Sequence, residues 1–112
     1  LVAVYTLNKH QDAAYKFGDF KDNSDNFIVL HRLCVKPEYR GMGIAARTLR
    51  HIDEEALKEG FSSIRLDVFT KNPRAVKLYE SAGYSYAGDA YFRKGKFLLM
   101  EKLTSPHTSS EE

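Results

Sequence analysis

The chain has 112 residues, a single cysteine and a formal net charge of +2. That length allows one domain with a modest core. The near-neutral balance gives no argument for a nucleic-acid partner, and no apolar run approaches the roughly 20 residues of a membrane span. Cys34 has no partner for an internal disulfide and no metal-ligand spacing around it. The expectations are a reducing compartment, the cytoplasm, and no bound metal.

Leu1 to Leu7 is β-branched, aromatic and apolar and reads as a strand. A domain that opens directly in a strand is expected to lack an earlier portion. Asn8 to Asn26 is a long polar loop with aromatics at Tyr15, Phe17 and Phe20, a short helical piece at Asp12 to Lys16 and a turn cluster at Asp22 to Asn26. Phe27 to Val35 is an apolar run that suits a central strand. Strict alternation places Ile28, Leu30 and Arg32 on one face and Phe27, Val29, His31, Leu33 and Val35 on the other.

Gly43 to Glu59 reads as a helix with a buried stripe of Ala45, Leu49, Ile52 and Ala56. Arg47, Arg50, Asp53, Glu54 and Lys58 form its wet face, and Gly60 closes it. Ser62 to Phe69 is the next strand, with Ile64, Leu66 and Val68 on one face and Arg65, Asp67 and Phe69 on the other. Strand, helix and strand make a parallel βαβ unit. Asn72 then caps a short helix with Pro73 in its first turn, and Gly83 ends it. Tyr84 to Ala87 and Lys96 to Leu103 are two last strands joined through Gly88 to Gly95. The fold class is α/β, one domain over residues 1–103, followed by a polar tail, residues 104–112, expected to be disordered.

The stretch from Leu30 to Ala46 carries the chemistry. It leaves a strand, breaks at Pro37, turns through Gly41 and Gly43 and enters a helix. Free N–H groups at the helix start, with the positive end of its dipole, make a seat for a phosphate or pyrophosphate. A Walker loop needs Lys-Ser/Thr after its last glycine, and Ile44-Ala45 follows here. A dinucleotide fingerprint is met on paper by Gly41, Gly43 and Ala46, but Lys36 to Arg40 separates it from its strand.

Arg40-Gly41-Met42-Gly43-Ile44-Ala45 resembles the Arg/Gln-x-x-Gly-x-Gly/Ala signature of the GNAT acyl-CoA-dependent N-acetyltransferases. Leu33 to Arg40 resembles the strand and turn that lead into it, and Asn72 to Tyr84 the family's second block. The likeness covers about Leu1 to Leu103. It implies a mixed central sheet whose parallel core is formed by the strands Phe27–Val35 and Ser62–Phe69 with the helix Gly43–Glu59 between them. A C-terminal helix and two strands complete it.

The resemblance also implies roles. Backbone N–H groups from Arg40 through Gly41, Met42, Gly43 and Ile44 to Ala45 would hold the pyrophosphate of acetyl-CoA. The edge of Leu33, Cys34 and Val35 would pair with the pantetheine arm. An N–H near Val35 would polarise the thioester carbonyl. Asn72 would touch the cofactor arm, and Tyr79 would protonate the departing thiolate. Plainer readings stand beside these: Asn72 as a cap only, Tyr79 as a core aromatic, Cys34 as a small buried hydrophobe. The base is Asp67, which matches the position of a glutamate proposed as base in acetyltransferases of ribosomal protein N-termini, or His31 on the neighbouring strand.

The expected activity is transfer of acetyl from acetyl-CoA to an unidentified primary amine by direct attack in a ternary complex. The alternatives are an acyl-CoA-binding module without turnover and a nucleotide-binding domain. The apolar edge at Leu1 to Leu7 is expected to be covered, by a second copy in a homodimer or by the loop Asn8 to Asn26 folding back.

Overall fold

The computed structural model describes residues 3–104. Strands β1 (Ala3–Asn8), β2 (Phe27–Val35), β3 (Ser63–Phe69), β4 (Ser85–Phe92) and β5 (Gly95–Leu103) form one sheet in the order β1-β2-β3-β5-β4. Helices α1 (Ile44–Lys58) and α2 (Pro73–Ser81) cover one face. There Leu49, Ile52, Ala56 and Tyr79 pack on Ile28, Leu30, Ile64, Leu66 and Met100. The loop before β2, with a 3-10 turn at Ala13–Phe17, covers the other face, where Tyr15 and Phe20 meet Phe27, Val29, Ala87, Ala90 and Leu99. A sheet with both faces buried explains why β2 and β3 are apolar runs. No described helix is long and apolar enough to cross a membrane.

The βαβ expectation holds: β2 and β3 are parallel, and every other pair is antiparallel. The parallel ladder is short. It joins Phe27–Val29 to Ser63–Arg65 and then stops, although both strands run on. Past that point the strands part, which opens the sheet at their C-terminal ends.

Strict alternation along β2 fails at Arg32. Val4 pairs with Cys34 and Thr6 with His31, so Tyr5 faces both Arg32 and Leu33. Arg32 takes φ +59°, a left-handed value in the middle of a strand. The extra residue is a β-bulge, and it resets the alternation. Leu33 therefore joins Ile28 and Leu30 on the helix side and not Val29 on the loop side. A β-branched residue suits strands in general but not this conformation. Arg32→Val is expected to destabilise the fold by about 1–2 kcal/mol, read by urea unfolding. An unchanged or raised midpoint would contradict the strained bulge.

The C-terminal hairpin is longer than expected. Strand β4 runs through Gly88 to Phe92, and the turn is only Arg93-Lys94. Gly88 does not break the strand; it sits at a register shift with φ +130°, and a β-carbon on it would also lie 3.3 Å from the Gly18 Cα of the covering loop. Ala90 and Phe92 carry the strand on against the loop-side core. Asp53 also departs from expectation. It turns inward from α1 to the Lys102 ammonium of β5, which donates to the Ala82 carbonyl as well (2.6 Å). Thr104, placed in the tail by the sequence, is buried and bonds through its N–H to the Ser62 carbonyl (3.1 Å). Residues 105–112 lie outside the described residues, as do Leu1 and Val2 of the first strand.

The covering loop is tied down at several points. Buried Glu101 accepts the N–H groups of Lys21 and Asp22, both at 2.9 Å. Arg65 lies between the rings of Phe20 and Phe27 and donates to the Asp22 carbonyl (2.6 Å) and to Gln11 (3.1 Å). The loop thus crosses the sheet face toward β4 and leaves β1 as an edge strand, with Val4 exposed. The expectation that it folds back over the first strand is corrected on this ground.

Asp22 makes the loop sensitive to acid. Its carboxylate accepts hydroxyls from Ser24, Ser62 and Ser63, each at 2.6 Å, and the Ser24 N–H at 3.0 Å. Burial pushes its pKa up, but these donors outweigh it and hold the carboxyl well below the usual range. A depressed folded value stabilises above the unfolded pKa, and the contribution fades as pH falls below about 4. Asp22→Asn is expected to flatten that acid limb in thermal melts across pH. A limb as steep as the parent's would show that Asp22 is not its source.

Candidate functional site

The opening where β2 and β3 part is a cleft of about 580 Å³. Its floor and walls come from three places. The end of β2 gives Leu33, Cys34 and Val35; the glycine turn and first turn of α1 give Arg40, Gly41, Gly43, Ile44 and Ala45; and α2 gives Asn72, Ala75, Leu78 and Tyr79. Every cofactor-contacting residue expected from the sequence lines it except Met42, whose side chain is exposed outside the lining. The Met42 backbone N–H remains part of the turn.

The turn is built by its glycines. Gly41 has φ +82° and Gly43 φ +75°, both left-handed, and Gly43 is the N-cap of α1. A β-carbon at either would meet no protein atom within 4 Å. The glycines are therefore required by backbone conformation and not by crowding. The space above them is open to a ligand, and the helix start behind it is the anion seat that the sequence implied. Arg40 and Arg74 also line the cleft, and no carboxylate among the described residues does. That charge pattern favours an anionic ligand. Arg74 was not singled out in the sequence, although its place beside Pro73 in the first turn of α2 is visible there.

The strand edge supplies the second element. Beyond Val29 the side of β2 that faces β3 has no ladder partner among the described residues. Leu30 to Val35 thus offers free main-chain groups to an extended ligand. Asn72 caps α2 by accepting the Ala75 N–H (3.3 Å) and also lines the cleft, so its two readings coexist. Cys34 is exposed, which corrects its reading as a buried hydrophobe.

Tyr79 closes the inner end. Its ring meets Tyr84 edge-on, with centroids 5.7 Å apart, and it is 9% exposed. Burial raises its pKa, and the nearby Asp67 carboxylate and Cys34 thiol raise it further. It is held as a neutral proton donor. Asp67 does not line the cleft, nor does it pair with Arg65; it accepts a hydrogen bond from the Tyr15 hydroxyl (2.6 Å). His31 is placed differently. Its Nε2 lies 3.1 Å from the His10 carbonyl and 3.0 Å from Asn8 Oδ1, so Nε2 carries the hydrogen and donates. The structure brings Tyr79 and Cys34 together in the cleft wall, holds Asp67 outside the lining on Tyr15 with its charge still acting on Tyr79, and leaves His31 on the β1 side.

The Acetyltransferase (GNAT) family model matches residues 1–84. The chain belongs to this acetyltransferase family. The GNAT match contains the glycine turn, the parallel pair and all of α2. Among curated proteins, the chain is 45% identical over 56 residues to the thialysine N-epsilon-acetyltransferase of Bos taurus. It is 34% identical over 58 residues to the [ribosomal protein bS18]-alanine N-acetyltransferase of Escherichia coli (strain K12). These alignments take in 50% and 52% of this chain but only 33% and 39% of the relatives, so the GNAT chain spans well under half of the curated proteins it matches. The crystal structure of a GNAT-family acetyltransferase from Streptococcus agalactiae 2603 superposes on 91% of this chain with a TM-score of 0.79. The match covers 58% of that chain at 20% identity, and it shows the shared GNAT fold.

Proposed function

We propose that this GNAT domain transfers an acetyl group from acetyl-CoA to a primary amine by direct attack in a ternary complex. The observation that carries the reading is the cleft: one lining holds an anion seat, two arginines, a free strand edge and a protonated tyrosine. The two curated relatives are named for acetylating thialysine and an alanine of ribosomal protein bS18, both amines.

Bound in the cleft, acetyl-CoA supplies an activated acetyl thioester. The N–H groups of Gly41 to Ala45 hold its pyrophosphate; the Arg40 N–H, expected among them, is instead donated to the Pro37 carbonyl (3.2 Å), and the Arg40 and Arg74 side chains add charge. Leu33, Cys34 and Val35 hold the arm by main-chain pairing, with Asn72 beside it. An N–H near Val35 steadies the carbonyl oxygen as it gains charge. Tyr79 gives its proton to the departing sulfur. Asp67 takes the amine's proton through water. Its support over His31 is that its charge acts on the Tyr79 phenol, while the His31 ring is turned to His10 and Asn8 on the β1 side. Cys34 is a wall of the cleft and not a nucleophile. The alternative of a doubly wound nucleotide-binding domain fits poorly, because among the described residues only one strand pair is parallel.

The test is thiol release from acetyl-CoA by the full-length protein across a panel of amines: a peptide N-terminus, a lysine-like side chain and a polyamine. Release that requires an amine supports transfer. Coenzyme A binding without release for any amine would favour the binding module. We place the reaction in the cytoplasm, on the lone cysteine. We also place a second copy against the β1 edge, on its free ladder and exposed Val4. Light scattering reads that dimer, and a monomer at micromolar concentration would remove it.

A further inference from the structure

The loop before β2 carries more than cover for the sheet. Tyr15 is 2% exposed, in a pocket of apolar residues that includes Phe20, Val29 and Leu99. A phenylalanine would fill that space equally well. The hydroxyl instead reaches Asp67 Oδ2 at 2.6 Å, across 52 positions of sequence. Asp67 Oδ1 has no protein partner among the described residues and is not sealed from solvent. One carboxylate oxygen is thus tethered and the other is open.

The geometry points to Tyr15 as a positioning residue: its hydroxyl fixes the Asp67 carboxylate in one orientation, so that the free oxygen serves the acceptor amine. This rests on the reading of Asp67 as the base. A donor on a carboxylate favours its ionised form. Burial and the Asp67 charge keep the Tyr15 phenol protonated, so it donates throughout the working pH range. The other charged groups around the pair are Arg65 and Asp12, which act on Tyr15, and Tyr79 is the neighbouring acid. Burial and the Asp67 charge keep the Tyr79 phenol neutral, so the proton donor and the tethered acceptor are distinct groups, as acid and base roles need. The anchor is firm. Asp12 caps the 3-10 turn through the Ala14 N–H (2.9 Å), and Glu101 and Arg65 clamp the residues that follow.

A double-mutant cycle on kcat tests this in the full-length protein, with acetyl-CoA saturating and an amine that the panel shows to be turned over. Tyr15→Phe is expected to lower kcat roughly ten-fold, the size of one hydrogen bond to a charged group, and to leave acetyl-CoA affinity unchanged. Placed on Asp67→Asn, it should cost nothing further, since the tethered carboxylate is already gone. An equal added loss in both backgrounds would make Tyr15 a packing residue and overturn the inference. So would a parental rate in Tyr15→Phe beside a slow Asp67→Asn. A parental rate in Asp67→Asn would instead remove Asp67 as the base. If Tyr15→Phe does not fold, site-specific fluorotyrosine at position 15 keeps the shape and strengthens the donor. It should move the acid limb of kcat to lower pH, and an unmoved limb would overturn the inference.

Discussion

Tyr79→Phe is expected to slow acetyl transfer by roughly 10²–10⁴-fold, the usual loss when one acid catalyst is removed. The same change should leave acetyl-CoA affinity and folding nearly intact. The ring keeps its edge contact with Tyr84, and only a hydroxyl at the inner end of the cleft is lost. The separation of the two effects is the informative part. Tyr79 is buried, so a larger truncation would disturb the core and confuse packing with chemistry. Single-turnover thiol release at saturating acetyl-CoA reads the chemical step alone. A parental rate in Tyr79→Phe would withdraw the acid role and leave Tyr79 as a core aromatic.

Gly43→Val should do the reverse and abolish measurable acetyl-CoA binding. A β-branched residue at φ +75° strains the turn by about 1–3 kcal/mol. It also puts a side chain into the open space over the helix start, where each lost charge-assisted contact costs about 1.5–3 kcal/mol. The lost contacts lower affinity by at least roughly a hundred-fold, while the strain, common to the free and bound protein, lowers stability. The matched control is Gly60→Val. Gly60 has φ +87° and open space around it, but it follows the C-terminus of α1, away from the cleft. It should lose stability without losing acetyl-CoA binding, which separates backbone strain from the anion seat. Equal loss of binding in the two variants would show that strain alone is at work.

Much of this was legible where one rule of periodicity governs a whole element. The stripe Leu49, Ile52 and Ala56 faces the core as spacing predicts, and Asn72 and Pro73 open α2 as capping chemistry predicts. The glycine turn was readable because only glycine adopts φ near +80° at so little cost. What was hidden depends on single residues acting against a local rule. Arg32 has no sequence mark of a left-handed residue, yet its bulge moved Leu33 to the opposite face. Gly88 looked like a strand end because one reason for it, the approach of Gly18, lies 70 positions away in the chain, and the other, φ +130° at a register shift, leaves no sequence mark.

The candidate site divides in the same way. Residues on the strand-turn-helix stretch fell into the cleft together, because a contiguous motif carries its own geometry. Asp67 and Tyr15 could not be paired from sequence, since a tyrosine in a loop and an aspartate in a strand carry no mutual signal. Asp53 was misplaced on the wet face for a related reason. Helical periodicity does not show that Lys102 waits on β5 to receive it.

Isothermal calorimetry of acetyl-CoA against the parent protein, with ATP and NAD titrated separately, goes most directly to the central claim. Acetyl-CoA is predicted to bind at one site per chain, to be displaced by free coenzyme A, and to bind where ATP and NAD give no comparable heat. A folded protein that gives no heat with acetyl-CoA, or that binds NAD or ATP in its place, would contradict the account.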